Sequence, residues 1–463
     1  MKINLRIQDV GEQTFFLQPV HNMGEYQQNE FVLVRCISEI DNPPIKLKWS
    51  EEHSEDTKLV YDTELSILES EDELAEKMSF LTLGVLDAQI HGIDLSAEDI
   101  PETLASVNPY DPDLIRVESS SMSLRQVYDM IKEGDINLSP DFQRNAIWDY
   151  HRKCRLIESI LLRIPLPVFY FSADKAGQLS VVDGLQRLTA IKEFMENKLP
   201  LDGLEYLDDC KGCTYNGEDK LDERMYRRFN LTQITTNIID SSSPTKVKYD
   251  IFKRLNTGGR PLNAQELRNC LSPEALRETL RTMARSTAFV EATTHSVSDE
   301  RMESQECALR FMRFRYLYLR DGKIEAYSGG MDSELDEFVD FISQEKNFPF
   351  QQYIDDYNRS MVNAEFLFGR HAFRKVYKET EYDSYRSVIN KALFIALSVL
   401  LADYDITILK AKVKKYAFVS VLGNLISTDE YLFRVLSYGT NGWKNLVYTF
   451  GAIDSMLKNE INA

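Results

Sequence analysis

The spacing of apolar residues changes along this 463-residue chain, and that change limits the architectures open to it. From about residue 264 onward, Leu and aromatic positions recur at three- and four-residue intervals, the period of helices packed by one face. Segments 264–270, 273–284, 303–320, 331–344, 350–368, 382–402 and 408–425 are the expected helices. Before them, short strands and helices alternate. Runs 1–7, 14–20, 30–37 and 45–49 are β-rich and separated by polar or Pro-containing turns. Leu74, Met78, Leu81 and Val85 predict a helix over residues 71–86. Pro101, Pro109 and Pro112, among small and acidic residues, mark segment 96–113 as a linker. The expectation is an α+β protein in three parts: a mixed N-terminal domain 1–112, a central domain 113–270 and a helical domain 271–463.

The central part carries the sharpest local signals. A short strand over 115–117 leads to Ser123, which caps a helix bearing Leu124, Val127, Tyr128 and Ile131 and ending at Gly134. A helix over 150–163 stops at Ile164-Pro165-Leu166-Pro167. Strands 168–171 and 178–182 flank a Lys175-Ala176-Gly177 turn. The second runs into Asp183-Gly184, with a helix expected over 188–196.

Charge divides the chain unevenly. Residues 1–100 hold 21 acidic and 7 basic residues, a net −14, so the other 363 positions share only −5 of the total −19. So acidic a segment repels nucleic-acid phosphate, which places any DNA contact later in the chain. Six scattered cysteines form no disulfide framework and fit a reducing, cytoplasmic setting. The N-terminus lacks a signal-peptide pattern, no stretch is long and apolar enough for a membrane helix, and no membrane partner is expected.

In Val181-Val182-Asp183-Gly184-Leu185-Gln186-Arg187 an apolar strand ends in a carboxylate, a Gly and then Gln-Arg at a helix start. Gly permits a tight turn and close approach of a ligand, and a helix N-terminus suits phosphate. Arg187 would add a forked cation, and Asp183 would hold a divalent metal or orient a water. A strand–turn–helix corner, with Arg187 paired to a nearby carboxylate, explains the same residues without a ligand. Ser139-Pro140-Asp141-Phe142-Gln143-Arg144, closing on Trp148, again pairs Gln with Arg. In the third element, residues 252–269, a Gly258-Gly259 loop precedes a helix capped by Asn263 with Glu266 three residues on.

Taken in order, Pro-x-Phe-Gln-Arg, Asp-Gly-x-Gln-Arg-Leu-Thr and Arg-Leu-Asn-x-Gly-Gly-x-Pro-Leu-x-x-x-Glu-Leu-Arg-Asn resemble the GmrSD N-terminal domain family, over residues 114–270. The resemblance implies a fold similar to the ParB/sulfiredoxin-like type and hydrolysis of a nucleoside triphosphate, such as GTP or ATP, that controls a nuclease acting on modified or foreign DNA. Mapped onto this chain, it implies catalytic roles for Asp183, Gln186 and Arg187. Gln143, Arg144, Gly184, Arg187, Asn256 and Arg268 would bind the nucleotide, with Mg²⁺ at Asp183. The implied partners are the nucleotide, DNA and a separate nuclease or other defence protein. Leu185 stands where the family has a Gln, which favours the alternative of a non-hydrolysing nucleotide sensor or DNA-recognition subunit. A self-contained nicking activity is a third reading.

Of the six His, only His295 and His371 follow the core, in no motif suited to a His-Asn-His nuclease, so no second nuclease domain of that kind is expected. There is no Walker-type loop. Cys210-Lys211-Gly212-Cys213 has zinc or redox spacing but no second Cys pair. The basic clusters at 224–228 and 410–415 read first as solvated helix faces, with phosphate contact as the alternative.

Overall fold

The computed structural model describes residues 2–20, 30–50, 58–90, 116–138, 148–173, 177–240, 263–345, 347–376 and 388–462. The fold is α+β and divides into two compact units, one of Met1–Val107 with Glu274–Ala463, the other Asn108–Pro273. The expected linker 96–113 lies outside the described residues.

The N-terminal region is an antiparallel meander in chain order: β1 (Lys2–Ile7), β2 (Gly11–Pro19), β3 (Glu30–Val34), β4 (Ile45–Trp49) and β5 (Leu59–Thr63). Alternation along β1 buries Ile3, Leu5 and Ile7 and exposes the residues between. The helix α1 (Glu71–Ile90) lays Leu74, Met78, Leu81 and Val85 against Leu5, Phe15, Phe31 and Leu47, as their spacing predicts. Strand β5, which is not among the expected β-rich runs, is tied to α1 through Thr82, whose hydroxyl accepts from the Leu59 N–H at 3.1 Å and donates to the Met78 carbonyl at 2.9 Å.

The central unit is built on a mixed sheet in the order β6-β10-β8-β9-β7, comprising β6 (Val117–Ser123), β7 (Ile136–Asn137), β8 (Phe169–Ala173), β9 (Leu179–Asp183) and β10 (Gln233–Ile239). Antiparallel β6 pairs with β10 over all seven residues and begins at Val117, where the expected strand 115–117 ends; residue 115 lies outside the described residues. Its Ser-rich sequence shows no apolar alternation; cross-strand bonds such as Ser119 Oγ to Asn237 Oδ1, 2.6 Å, support it instead.

Ser123 caps α2 (Leu124–Glu133) by accepting from Gln126 N–H, and Gly134 ends it at φ 90°. Asp149 caps α3 (Tyr150–Leu161) in the same way. With α4 (Leu185–Met195) and α5 (Glu223–Leu231) these helices bury Val127, Ile157, Ile191, Phe194 and Phe229 on one face of the sheet, against Phe169, Phe171 and Val181. The other face receives α6 (Ala264–Leu271), whose Leu267 and Cys270 pack on Val182 and Ile239.

Residues from 274 onward form a helical assembly around an aromatic core. It comprises α7 (Glu274–Ala284), α8 (Thr287–Ala292), α9 (Glu303–Asp321), α10 (Met331–Gln344), α11 (Phe350–Phe368), α12 (Lys391–Leu401), α13 (Ile406–Lys412), α14 (Phe418–Thr428), α15 (Glu430–Val435) and α16 (Trp443–Asn462). Two expectations are corrected. The helix expected from 382 begins at Lys391, because Asn390 is its N-cap and accepts from Leu393 N–H; part of the difference, 382–387, lies outside the described residues. The helix expected over 408–425 is two, divided where Tyr416 takes φ 66° and its N–H donates to the Phe366 carbonyl at 2.9 Å. Among the described residues no single helix is long and apolar enough to cross a membrane.

Candidate functional site

Helix α4 begins at Leu185 rather than Leu188, and this places Gln186 and Arg187 in its first turn. The cause is Gly184. It takes φ 102° as the N-cap and offers no side-chain cap to the helix. A Cβ there would lie 2.4 Å from Phe169 Cδ1, so both conformation and space require glycine.

Arg187 is drawn into this corner. Its guanidinium lies over the Phe169 ring, 4.2 Å from the centroid. It donates to the Pro167 carbonyl, to the Val168 carbonyl at 3.3 Å and to Asp183 Oδ2 at 2.7 Å. Burial pushes the guanidinium pKa below its ordinary value, against the opposing pull of Asp183. The Asp183 side chain is 38% exposed, so one end of the pair faces solvent while the other is enclosed. These are the contacts of a clamp that fixes strand, turn and helix together, and they match the ligand-free explanation of Arg187 as closely as the phosphate-binding one.

Gln186 connects the first two motifs. Its Oε1 accepts the backbone N–H of Trp148, the residue that closes the first motif, at 3.2 Å. Gln143 and Arg144, earlier in that motif, and Asn256 in the third lie outside the described residues. Leu185, at the family's Gln position, is partly buried and packs against the main core of the central unit. Arg268 is buried on α6, on the opposite face of the sheet from α4. The structure therefore brings Asp183, Gly184, Gln186 and Arg187 to one strand end, and sets Arg268 across the sheet. The predicted Asn263–Glu266 capping box is present, with Glu266 N–H to Asn263 Oδ1 at 2.8 Å and Asn263 N–H to Glu266 Oε2 at 2.6 Å.

Several contributors had no sequence signal of their own. Phe169, Pro167 and Val168 hold Arg187 only because the chain folds back over the corner. Glu158, an unremarked helix residue, accepts the N–H groups of Glu205, Tyr206 and Leu207 at 3.1, 2.7 and 3.0 Å. Burial alone would raise its pKa, but these donors prevail and hold it below the ordinary carboxylate value. Burial pushes the Cys210 and Cys213 thiols up, away from the thiolate a metal requires. Among the described residues no group of three His, Cys, Asp or Glu is placed to hold a metal ion. In the first basic cluster, Arg224 and Arg227 are exposed while Arg228 donates to the Leu161 carbonyl at 2.8 Å. In the second, Lys412 donates to the Ile461 carbonyl and Lys415 pairs with Glu365.

Residues 124–272 match the family model described as GmrSD restriction endonuclease, N-terminal domain. The match begins at the first residue of α2 and ends at Ser272, the C-cap of α6. Over that span the chain is similar to this family. No curated protein and no solved structure matches the chain.

Proposed function

We propose that the domain over residues 124–272 binds a nucleoside triphosphate at the carboxyl end of β9, as part of a restriction-type defence protein in which nucleotide state controls action on DNA. One observation carries the reading: three motifs far apart in sequence converge on β9. Trp148, closing the first, is bonded to Gln186 of the second, and Leu267 of the third packs on Val182, next to Asp183. A ligand-free corner needs only the second motif.

The roles follow from position. The N-terminus of α4 has no side-chain cap, so its N–H groups are available to phosphate oxygens. Arg187 holds the corner and Asp183 in place, and Gln186 holds Trp148. Asp183 alone does not make a metal site. It suits Mg²⁺ only as one carboxylate completing a shell supplied mainly by phosphates and water.

A second reading, a nucleotide sensor that acts with a separate nuclease, is favoured by Leu185. A side chain packed against the core offers nothing to an attacking water. Both readings are tested by equilibrium binding and phosphate release with GTP and ATP, with Mg²⁺, with and without DNA, for wild type and Asp183→Asn. Release lowered at least about tenfold by Asp183→Asn, with the fold intact, is the expected result for hydrolysis. Binding without release selects the sensor. Absence of binding by the wild type sinks both.

A further inference from the structure

The chain leaving β5 keeps the alternation of a strand beyond the strand's end. Thr63, Leu65, Ile67 and Glu69 line a cavity of about 490 Å³, walled on its other side by Leu74 and Met78 of α1. The residues between them, Asp62, Glu64, Ser66 and Leu68, are exposed. Bonds to β1 hold this run in place: Gln8 N–H donates to the Ser66 carbonyl at 2.9 Å and Leu68 N–H to the Arg6 carbonyl at 2.8 Å. Among such apolar neighbours a carboxylate needs a reason. The Glu69 side chain is 0% exposed. Its Oε1 accepts the Arg6 N–H at 2.9 Å and the Lys77 ammonium at 2.7 Å, while Oε2 has no hydrogen-bond partner among the described residues. Burial alone would raise its pKa, but Lys77 and the Arg6 N–H prevail and hold it below the ordinary carboxylate value, so the group is charged at neutral pH. Enclosed oxygens are nearly always paired, because an unpaired one forfeits the bonds it made to water. Oε1 serves the fold; Oε2 is left over.

We propose that this cavity receives an arginine side chain presented by a partner protein, its guanidinium donating to Glu69 Oε2 and its methylene stem lying against Leu65, Ile67 and Met78. The inference is independent of the nucleotide reading. The chemistry of the walls selects the ligand. A carboxylate oxygen only accepts, so the group that meets it must donate. Apolar walls suit a methylene stem and offer nothing to a hydrated metal ion, and among the described residues no group of three His, Cys, Asp or Glu is placed to hold one. The volume fits a whole side chain rather than a single ion. Guanidinium is more weakly hydrated than ammonium and enters an enclosed ion pair at less cost. Charge identifies the source. Exposed Asp62, Glu64, Glu71 and Asp72 adjoin the lining residues in a region of net −14, and they complement basic residues on either side of the inserted one. A free cation that fills the cavity makes no use of them.

The test is calorimetric titration of the full chain with three probes: the blocked peptide Lys-Ser-Arg-Ser-Lys, the same peptide with citrulline in place of arginine, and butylguanidinium. Citrulline keeps the shape and removes the charge. Wild type is expected to bind the arginine peptide about tenfold or more tightly than either other probe, the worth of one charge-assisted bond and of the flanking lysines. Glu69→Gln should lower peptide binding by a similar factor. That variant also removes the partner of Lys77, so Ala75→Phe supplies an independent check: Ala75 is exposed on α1 and borders the cavity, and a larger side chain there fills it while leaving Glu69 and Lys77 in place. Ala75→Phe should melt with wild type and lose peptide binding. Absence of peptide binding by wild type, or wild-type binding by Ala75→Phe, overturns the proposal. Equal binding of the citrulline peptide would show that the carboxylate reads nothing, and equal binding of butylguanidinium would assign the cavity to a free organic cation; either also overturns it.

Discussion

The central unit and the C-terminal helices bury charge in different ways. In the helical part four deep cations meet a carboxylate that is itself enclosed: Arg315 with Asp356, Arg313 with Glu334, and Arg310 and Lys391 with Glu306. In the central unit the buried Arg187 is matched by a carboxylate that reaches solvent and by carbonyls of its own loop. Closed pairs fix the packing of helices and leave no group for a ligand. Polarity that is half open or unpaired is costly to the fold and gains its partner from outside. The first region is read as architecture and the second as a site.

The largest effect expected from breaking that contrast lies in the closed region. Asp356→Ala strands the buried Arg315 guanidinium, and denaturant unfolding should show a loss of about 3 kcal/mol or more. A loss below about 1 kcal/mol would mean that Asp403, 2.7 Å from Arg315 and partly exposed, suffices, and the contrast would weaken. Gly184→Ala comes next. The positive φ and the collision with Phe169 should cost about 2–3 kcal/mol, partly recovered by adding Phe169→Leu; no recovery would mean that backbone strain dominates.

Glu158→Gln should cost about 1–2 kcal/mol at neutral pH, because one amide oxygen replaces two carboxylate oxygens that accept three N–H groups. The pH dependence has a definite sign. The folded Glu158 pKa lies below its unfolded value, so the carboxylate's advantage is present above about pH 4.5 and is lost as pH falls through the depressed folded value. Unfolding curves of both proteins from neutral to acid pH should therefore converge; a constant gap would assign the effect to shape rather than charge. Leu185→Gln should be the mildest, within about 1 kcal/mol in stability, since the side chain is only partly buried. Its informative readout is phosphate release: an increase would show that the family's Gln acts in turnover, whereas no change would support the sensor.

Local signals in the sequence determined much of this protein. The capped helix α2 and its Gly134 stop, the Asn263–Glu266 capping box, the buried stripe of α1 and the strand running into Asp183 depend on neighbours within a few residues, so pattern alone reveals them. The ordered motifs likewise identified the domain family. What sequence could not give was set by contacts across the chain. The Ser-rich β6 exists because β10 pairs with it, more than a hundred residues later. The long helices expected over 382–402 and 408–425 are cut where Asn390 caps a helix start and the Tyr416 N–H bonds to the distant Phe366 carbonyl. For Arg187 the sequence offered both a phosphate ligand and the partner of a nearby carboxylate, and only tertiary folding set Pro167, Val168 and Phe169 around it. Glu69 drew no notice, because whether a carboxylate is exposed, paired or enclosed with one oxygen left over depends on what surrounds it and not on its place in the chain.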